Sequence, residues 1–418
     1  MTGPQDATTP DGDWPALYRD LHAHPELAFQ EERTARVAAD GLGRAGYEVI
    51  TGIGRTGVVG VLRRGSGPTV LLRADMDALP VHEETGLPYA SSATGVGPDG
   101  TTVPVMHACG HDMHTTCLLA AATRLAGEQS WSGTLITVFQ PAEEIGAGSR
   151  ALVDDGLYDR VPRPDIVLGQ HVAPLPAGVL GVRPGTPPAF AASDQLTVTL
   201  HGRGAHGSRP EVSVDPVLMA AATVVRLQGI VAREVGGTET AVLTVGSMHA
   251  GSAGNVIPDQ AQLQLNVRTV DPRVRERVLR AIHRIVGAEA EASGAPRPPE
   301  IEPGETYPAV VNDPDACATT SEGFARDLPQ ITVMDPGSGT GSEDVGLLAT
   351  EAGARCVYWI LGGADPQLFA GVGGADLGRV IAGLPSNHSP QYAPVIDPTL
   401  GIGVNALVSA AHTWLDEA

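Results

Sequence analysis

The segment 107–114, with the sequence HACGHDMH, concentrates side chains that could bind a metal ion. It holds three histidines, one cysteine and one aspartate within eight residues. Thiolate, imidazole and carboxylate groups together are typical ligands of zinc and related transition metals. Cys109 and His111 stand where a glycine-containing turn leads into an apolar segment, which favours a metal site. The rival interpretation is a redox or nucleophilic Cys109, although no matched resolving cysteine lies nearby in the sequence.

Paired carboxylates form a second candidate site. Glu143 and Glu144 belong to the sequence QPAEE, which directly follows the apolar run 134–139. Enzymes with α/β folds place their sites at the carboxyl ends of such strands. A metal site can use one carboxylate as a ligand and the other as a general base. A solvated surface pair is the alternative.

Three further signals lie at the ends of predicted strands or in loops. Asp75 and Asp77, in RADMDALP, point the same way if their strand continues, although an aspartate that caps a turn is the alternative. His171 ends the predicted strand DIVLGQ, and His388 lies in the loop LPSNHSP. Each histidine alone is typical of a structural or surface residue. Their convergence at one edge of a predicted sheet favours a common site.

The elements that must position these residues follow from two different hydrophobic patterns. Apolar runs without alternation predict strands buried on both faces, at 57–62, 69–74, 134–139, 165–169 and 355–361. Helices are predicted between and around them, at 31–45, 113–126 and 400–415. Strands that alternate with helices predict an α/β domain with three layers and a mostly parallel central sheet.

The pattern changes near residue 186. The runs 194–201, 240–249 and 260–268 alternate apolar and polar residues, which predicts a sheet with one solvated face. Helices are predicted at 215–233 and 272–292. We therefore expect an inserted α+β domain, 188–303, within a discontinuous domain made of 13–187 and 304–418.

Composition excludes several function classes. The formal net charge is −21, so a nucleic-acid partner or an anionic membrane is not expected. All 27 basic residues are arginine, which excludes a Schiff-base lysine and a phosphate-binding Walker lysine. The first residues lack the basic start and apolar stretch of a signal peptide, and no run approaches the ~18 apolar residues that span a bilayer. We expect a cytoplasmic protein.

The motifs RADMDALP, HACGHDMH, QPAEE, GQHV and NHSP resemble, in this order, those of the M20 family of metallopeptidases, and in particular its M20D amidohydrolase branch. That branch includes hippurate and other N-acyl-amino-acid hydrolases. The similarity covers about residues 17 to 415. It implies two divalent metal ions per chain (Zn, Mn, Co or Ni). It also implies an inserted ferredoxin-like lid domain through which the protein forms a homodimer.

The resemblance assigns roles to residues of the larger domain. The five metal ligands that it implies are Cys109, His111, Glu144, His171 and His388. Cys109 takes the position of a bridging carboxylate in other branches. Glu143 matches the general base, and Asp77 matches an acid that orients a ligand. Asp75 stands where other branches have a metal-binding histidine.

In the inserted domain, the resemblance points to His206 of the motif GRGAH. This histidine would polarise the scissile carbonyl in the active site of the partner subunit. Asn255 and Arg268 match positions that contact substrate, and the guanidinium of Arg268 suits a carboxylate. Gly341 lies in the glycine-rich run 337–344, whose backbone N–H groups match a carboxylate-binding loop.

The function that these residues imply is a metal-dependent amidohydrolase of small molecules. It would cleave the amide bond of an N-acyl amino acid to a carboxylic acid and a free amino acid, through a metal-bound water with Glu143 as general base. A dipeptidase or carboxypeptidase with the same machinery is the alternative. A ligand-binding relative without catalysis and a thiol redox sensor based on Cys109 are the remaining hypotheses. His22 and His24 match the family pattern, and we interpret them as structural.

Overall fold

A computed structural model describes residues 12–97, 99–339 and 341–417 of the chain. The helices are α1 (Trp14–Ala23), α2 (Glu32–Arg44), α3 (His111–Gly127), α4 (Gly148–Asp154), α5 (Leu157–Arg160), α6 (Pro216–Glu234), α7 (Pro272–Ala292), α8 (Pro314–Asp327), α9 (Val345–Ala352), α10 (Gly374–Ala382) and α11 (Thr399–Trp414). The strands are β1 (Glu48–Ile53), β2 (Gly57–Arg64), β3 (Thr69–Asp75), β4 (Thr94–Val96), β5 (Thr102–Pro104), β6 (Trp131–Gln140), β7 (Ile166–Pro176), β8 (Val179–Val182), β9 (Ala192–His201), β10 (Ala205–His206), β11 (Ala241–Ala250), β12 (Val256–Ile257), β13 (Gln260–Thr269), β14 (Glu300–Tyr307), β15 (Thr332–Met334), β16 (Arg355–Ala364) and β17 (Asp416–Glu417).

Several helices begin at an aspartate that is followed by a proline in the first turn. The carboxylate of Asp13 accepts the N–H of Ala16 at 3.0 Å, and that of Asp215 accepts the N–H of Val217 at 2.9 Å. The cap satisfies an N–H group that the helix leaves open, and proline there loses no hydrogen bond.

The chain divides into two compact units. The first comprises residues up to Gly185, then Val311–Gly337 and the chain from Asp344 onward. The second comprises Thr186–Val310 and Ser338–Glu343, so it includes a short segment that the sequence-based boundaries 188–303 left in the larger domain.

The first unit is built on a mixed sheet with the order β1-β2-β6-β3-β7-β16-β8-β15. Strands β6, β3, β7 and β16 in its centre run parallel, while β1, β2 and β8 pair antiparallel with their neighbours. Helices α3 and α11 pack together beside these strands, and both are largely buried. The mostly parallel α/β fold predicted from the sequence is confirmed.

The second unit has the succession β-α-β-β-α-β, formed by β9, α6, β11, β13, α7 and β14. Its antiparallel sheet has the order β11-β13-β9-β14, which is the ferredoxin-like arrangement. Side chains of β13 alternate between exposed and buried along the strand, and the buried set packs on α6 and α7. The alternation read from the sequence therefore corresponds to one covered and one solvated face.

Two sequence-based expectations need correction. His171 was placed at the end of a strand, but β7 continues to Pro176 because its pairing with β16 extends that far. Asp75 and Asp77 point the same way only if their strand continues, and this condition is not met because β3 ends at Asp75. A third point concerns α6, which is long and apolar enough to cross a membrane by length and composition, with a third of its most apolar window buried. Arg226 and Gln228 interrupt its apolar run, so counting consecutive apolar residues did not find it.

Candidate metal centre

The loop before α3 places Cys109 and His111 side by side. Gly110 between them has φ +84°, and a Cβ there would lie 2.5 Å from Cγ1 of Val172. Only glycine combines this left-handed backbone with so close a neighbour. The loop around His388 is fastened to the same place, since the His388 N–H donates to the Ala108 carbonyl at 2.8 Å. Residues almost 280 positions apart thus meet at Cys109.

Two imidazoles at the site each have one nitrogen committed to the backbone. Nδ1 of His111 donates to the carbonyl of Asp77 at 2.8 Å, and Nδ1 of His171 donates to the carbonyl of Val172 at 2.9 Å. Because a carbonyl only accepts, Nδ1 carries the proton and Nε2 keeps its lone pair in the neutral ring. This is the tautomer in which a histidine binds a metal through Nε2.

Cys109 lies between two groups of potential ligands. In the first group, donor atoms of Cys109, His111 and His171 all lie within 4.8 Å of one another, and Sγ of Cys109 is 3.5 Å from Nε2 of His171. In the second group, Cys109 meets Glu144 and His388 within the same limit, and Nε2 of His388 is 3.2 Å from a Glu144 carboxylate oxygen. The five predicted ligands therefore come together, with the thiol common to both groups.

Two buried polar atoms at this place fit a cation. Nε2 of His111 and Oε1 of Glu144 are buried, and neither has a hydrogen-bond partner among the described residues. They lie 3.7 Å apart. An unpartnered buried donor or acceptor costs about 1–3 kcal/mol, which a bound cation would remove. The donor set of one thiolate, imidazoles and a carboxylate is one that zinc and neighbouring transition metals accept.

The pKa values of the clustered side chains also fit a bound cation. Burial, and then the charge of Glu144, raise the pKa of the Cys109 thiol above its usual value. Hydrogen bonds to Cys109 and then Glu144 raise the pKa of His388 to about 10, although burial opposes them. The thiol of Cys109, the carboxylate of Glu144 and the imidazole of His388 are thus close enough for protons to be retained among them. A divalent cation would take the place of those protons.

The turn that carries Glu143 and Glu144 is held by Asp77. Its two carboxylate oxygens accept the N–H groups of Glu143 and Glu144, each at 3.0 Å. The same carboxylate lies 3.4 Å from Nδ1 of His111. Asp77 is fully buried, and it contacts both the strand-end turn and a candidate ligand. This is the arrangement expected of an acid that orients ligands.

Asp75 belongs to a buried network that the sequence did not predict. Its carboxylate accepts from Nη1 of Arg73 at 2.7 Å and from Nδ1 of His114 at 2.5 Å. Nε2 of His114 in turn accepts the N–H of Val172 at 2.7 Å, next to His171. Both nitrogens of His114 are thus occupied within the protein. The guanidinium of Arg73 also reaches Asp344 at 3.2 Å. The feature of the sequence that could have indicated this network is the arginine within the apolar run TVLLRAD.

His22 is the centre of a second buried network. Its Nδ1 lies 2.6 Å from Asp112 and its Nε2 lies 3.0 Å from Glu83, and all three side chains are inaccessible. Although burial opposes it, hydrogen bonds to Asp112 and Glu83 raise the pKa of His22 to about 10. The cation is therefore shared between two carboxylates. The contact ties α1 to the first turn of α3, which agrees with a structural role.

The predicted residues of the second unit form two local pairs. His206 ends β10, and Asn255 directly precedes the paired strand β12; the N–H of Gly207 donates to the Asn255 carbonyl at 2.8 Å. Nη1 of Arg268 donates to Oγ of Ser342 at 3.3 Å, within the segment that also contains Gly341. His206 is exposed, and Arg268 is half-buried. The arginine and the glycine-rich segment are thus neighbours.

Comparison with known proteins matches most of the chain. The profile described as "Peptidase family M20/M25/M40" matches residues 71–372. Hippurate hydrolase of Campylobacter jejuni is 40% identical over 76% of this chain and 79% of its own length. N-acetyl-L-cysteine deacetylase of Bacillus subtilis is 36% identical over 78% of this chain and 75% of its own. Thermostable carboxypeptidase 1 of Saccharolobus solfataricus is 34% identical over 83% and 84%.

A solved structure matches almost the entire chain. The Bacillus subtilis YxeP protein, described as a dinuclear metal-binding peptidase, has a TM-score of 0.75 and 28% identity. The match covers 97% of this chain and 98% of that one.

Proposed function

Because this chain belongs to peptidase family M20/M25/M40 and is a hydrolase of amide bonds, we propose that its substrates are N-acyl amino acids. The products would be a carboxylic acid and a free amino acid. The observation that carries the proposal is the convergence of Cys109, His111 and His171, whose donor atoms lie within 4.8 Å of one another, with Glu143 beside His111. Two relatives act on N-acyl amino acids by name, which supports this substrate class.

The chemistry requires a cation, and we propose two per chain. Cys109 would bridge them, His111 and His171 would complete one site, and Glu144 and His388 the other. Divalent ions held there supply Lewis acidity to the scissile carbonyl and lower the pKa of water toward about 7. A thiolate with imidazoles suits zinc, while the mixed set of donors also accepts manganese, cobalt or nickel.

Glu143 then acts as the general base and general acid. It accepts the proton that the attacking water loses, and it delivers that proton to the leaving amine nitrogen as the C–N bond breaks. The proton balance is therefore kept within one residue. Asp77 supports this step, since it holds the N–H groups of both Glu143 and Glu144.

We propose that His206 donates a hydrogen bond to the developing oxyanion in the partner subunit's active site. Its Nδ1 accepts the N–H of Ser208 at 3.1 Å, so in the neutral ring the proton sits on Nε2. The ring is exposed and available to a substrate. One such donor contributes about 2.7–4 kcal/mol to the transition state.

A homodimer through the second unit is supported by an apolar surface on that unit. On α6, Leu218 and Val225 are 69% and 72% exposed. On the edge strand β11, Val242 and Met248 are about half exposed, at 50% and 49%. An open strand edge beside exposed apolar side chains is a surface that a second copy of the chain can cover.

Two further features support a small, carboxylate-bearing substrate in a reducing compartment. Arg268 and the segment with Gly341 together offer a guanidinium and backbone N–H groups, which bind a carboxylate. We propose that Asn255 also contacts the substrate. All four cysteines are buried thiols outside any disulfide, which agrees with the proposed cytoplasmic location.

The second candidate is a peptidase, which the carboxypeptidase relative favours. The two candidates are distinguished by kcat/KM for N-benzoyl and N-acetyl amino acids against free dipeptides that share the same C-terminal residue. Higher values for the N-acyl compounds support the amidohydrolase. Cleavage of the dipeptides alone would replace that proposal by the peptidase.

A further inference from the structure

Glu31, at the start of α2, has a buried carboxylate that the proposed reaction does not yet use. The side chain is fully inaccessible. Its Oε1 accepts the N–H groups of Phe29 at 2.9 Å and Ala142 at 2.8 Å, and its Oε2 accepts the hydroxyl of Thr56 at 2.5 Å. Ala142 directly precedes Glu143. One carboxylate therefore connects α2, the turn before β2 and the turn that carries the proposed base.

Glu31 and Asp77 together hold three successive amides of this turn. Glu31 accepts the N–H of Ala142, and Asp77 accepts those of Glu143 and Glu144. Burial, and then the charge of Asp77, raise the pKa of Glu31 to about 7, in line with the closeness of the two carboxylates. Two acids this close repel each other, so their joint placement has a cost that the amides they bind must offset.

The residues that Glu31 holds have a strained backbone. Among the described residues, four non-glycine residues have positive φ, namely Phe29 (60°), Arg55 (84°), Ala142 (50°) and His388 (73°). Two of them donate their N–H to Glu31, a third directly precedes Thr56, and the fourth is a proposed ligand. Left-handed backbone is unfavourable for a non-glycine residue, and it persists where the surroundings enforce it.

The carbonyl of Ala142 is held as firmly as its N–H. It accepts the N–H groups of Ala147 at 3.2 Å and Gly148 at 3.0 Å. A Cβ at position 148 would lie 1.6 Å from the carbonyl oxygen of Pro141, so only glycine closes the loop there. Glu31 therefore fixes the N–H of Ala142, and the loop closure fixes its carbonyl. Together these two contacts set the direction in which Glu143 and Glu144 leave the turn.

From this geometry we infer that Glu31 is a positioning residue for the reaction. It holds Ala142 in the left-handed conformation that directs Glu143 and Glu144 to the same site. The inference rests on the role proposed for Glu143. Glu31 contacts neither substrate nor cation in this scheme and acts only through the turn.

The test compares Glu31→Ala, Glu31→Gln and a matched control, Glu26→Ala. Glu26 also accepts two backbone N–H groups, those of Arg33 and Thr34 at the start of α2, but none in the turn 140–148. We expect Glu31→Ala to lower kcat at least about tenfold with KM within about twofold, because a misdirected base affects the transition state more than substrate binding. Glu31→Gln should recover most of kcat, since its amide oxygen accepts the same N–H groups while its NH2 donates to Thr56. Glu26→Ala should lower stability and leave kcat unchanged.

A second readout does not depend on activity. Titration with Co²⁺, followed by the thiolate-to-cobalt absorption of Cys109, reports the affinity of the site that includes Glu144. Glu31→Ala should bind Co²⁺ more weakly, by about tenfold or more, while Glu31→Gln and Glu26→Ala bind like the wild type. If Glu31→Ala does not fold, Glu31→Asp serves instead, because the shorter carboxylate keeps its charge but does not reach both N–H groups.

The outcomes separate this inference from the proposed function. Wild-type kcat and Co²⁺ affinity in Glu31→Ala, equal defects in the Gln and Ala variants, or an equal loss of kcat in Glu26→Ala would each overturn the role of Glu31. If the wild type cleaves no N-acyl amino acid, or if Glu143→Ala remains fully active, the proposed function fails instead. The Co²⁺ titration then still decides whether Glu31 positions the turn.

Discussion

The two units of the molecule differ in what they bury and what they expose. The first unit buries polar groups that converge at Cys109, and some of their atoms lack a hydrogen-bond partner among the described residues. The second unit buries an ordinary apolar core and exposes large apolar side chains on α6 and β11 instead. Among the described residues, buried polar atoms without partners occur in both units, but those of the first unit lie among converging potential metal ligands, which indicates a cation. Exposed apolar side chains are instead typical of a surface that a protein partner covers. This difference is why we propose chemistry for the first unit and assembly for the second.

The largest effect of a single substitution is expected on kcat, at Glu143 in the first unit. Glu143→Ala should lower kcat by about a thousandfold, since a general base contributes roughly 10²–10⁴-fold. Bound metal should remain, because the five proposed ligands are untouched. Steady-state kinetics and elemental analysis on the same sample check both points. Glu322→Ala, which removes an exposed glutamate from α8, is the control. Normal turnover in Glu143→Ala would disprove its role.

The buried His22 network gives the next largest effect, on stability. His22→Ala should lower the free energy of unfolding by about 3 kcal/mol at neutral pH, because Asp112 and Glu83 are left buried without their cation. The pKa of His22 is about 10 in the folded protein, above its ordinary value of 6.5. Its contribution is therefore fully present below about pH 6.5 and is lost as the pH rises through about 10.

Chemical denaturation at pH 7 and pH 10 measures this contribution. The wild type should lose stability between the two values, and His22→Ala should lose less. Tyr18 and Tyr89 lie beside His22, so their own titration sets the upper limit of the usable range. His24→Ala is the control, because that side chain is half exposed. An equal pH dependence in wild type and His22→Ala would rule out the shared cation.

In the second unit, substitutions should affect assembly before chemistry. Leu218→Glu and Val225→Glu should each weaken the dimer by about 10- to 100-fold, since burying such a side chain contributes roughly 1.5–3 kcal/mol. Sedimentation velocity over a concentration series measures this change. Leu368→Glu, at a residue of the first unit that is 51% exposed, should leave the dimer intact. A wild type that is monomeric at every concentration would contradict the assembly role.

The smallest expected effect concerns substrate binding. Arg268→Ala should raise KM for an N-acyl amino acid by about tenfold with little change in kcat, because a hydrogen bond to a charged group contributes about 1.5–3 kcal/mol. Arg297→Ala, at an exposed arginine of the same unit, is the control. The amide of the N-acyl amino acid, which lacks the carboxylate, should show no difference between wild type and Arg268→Ala. A KM defect that persists with that amide would exclude the carboxylate as the partner of Arg268.

Sequence patterns predicted those parts of the fold that depend on local order. The alternation in 260–268 corresponds to β13, whose side chains are exposed and buried in turn. The run 69–74 lacks alternation, and β3 is almost wholly buried. Motif spacing likewise brought Cys109 and His111 together, since only Gly110 separates them.

The other parts of the fold and of the candidate site depend on contacts between distant parts of the chain. Glu31 and Ala142 are 111 residues apart, and Asp75 meets His114 across 39 residues. The extension of β7 to Pro176 depends on its pairing with β16. Such partners are chosen by packing in three dimensions, and no local pattern in one sequence encodes them.

Metal analysis tests whether the residues around Cys109 form a catalytic metal centre. Freshly purified protein is analysed for elements, and hydrolysis of an N-acyl amino acid is followed before and after chelation and after each metal is restored. We expect about two divalent ions per chain, loss of activity when they are removed, and recovery with one particular metal. Protein that holds no metal and still cleaves the amide in the presence of chelator would contradict the ligand assignments and favour the redox interpretation of Cys109.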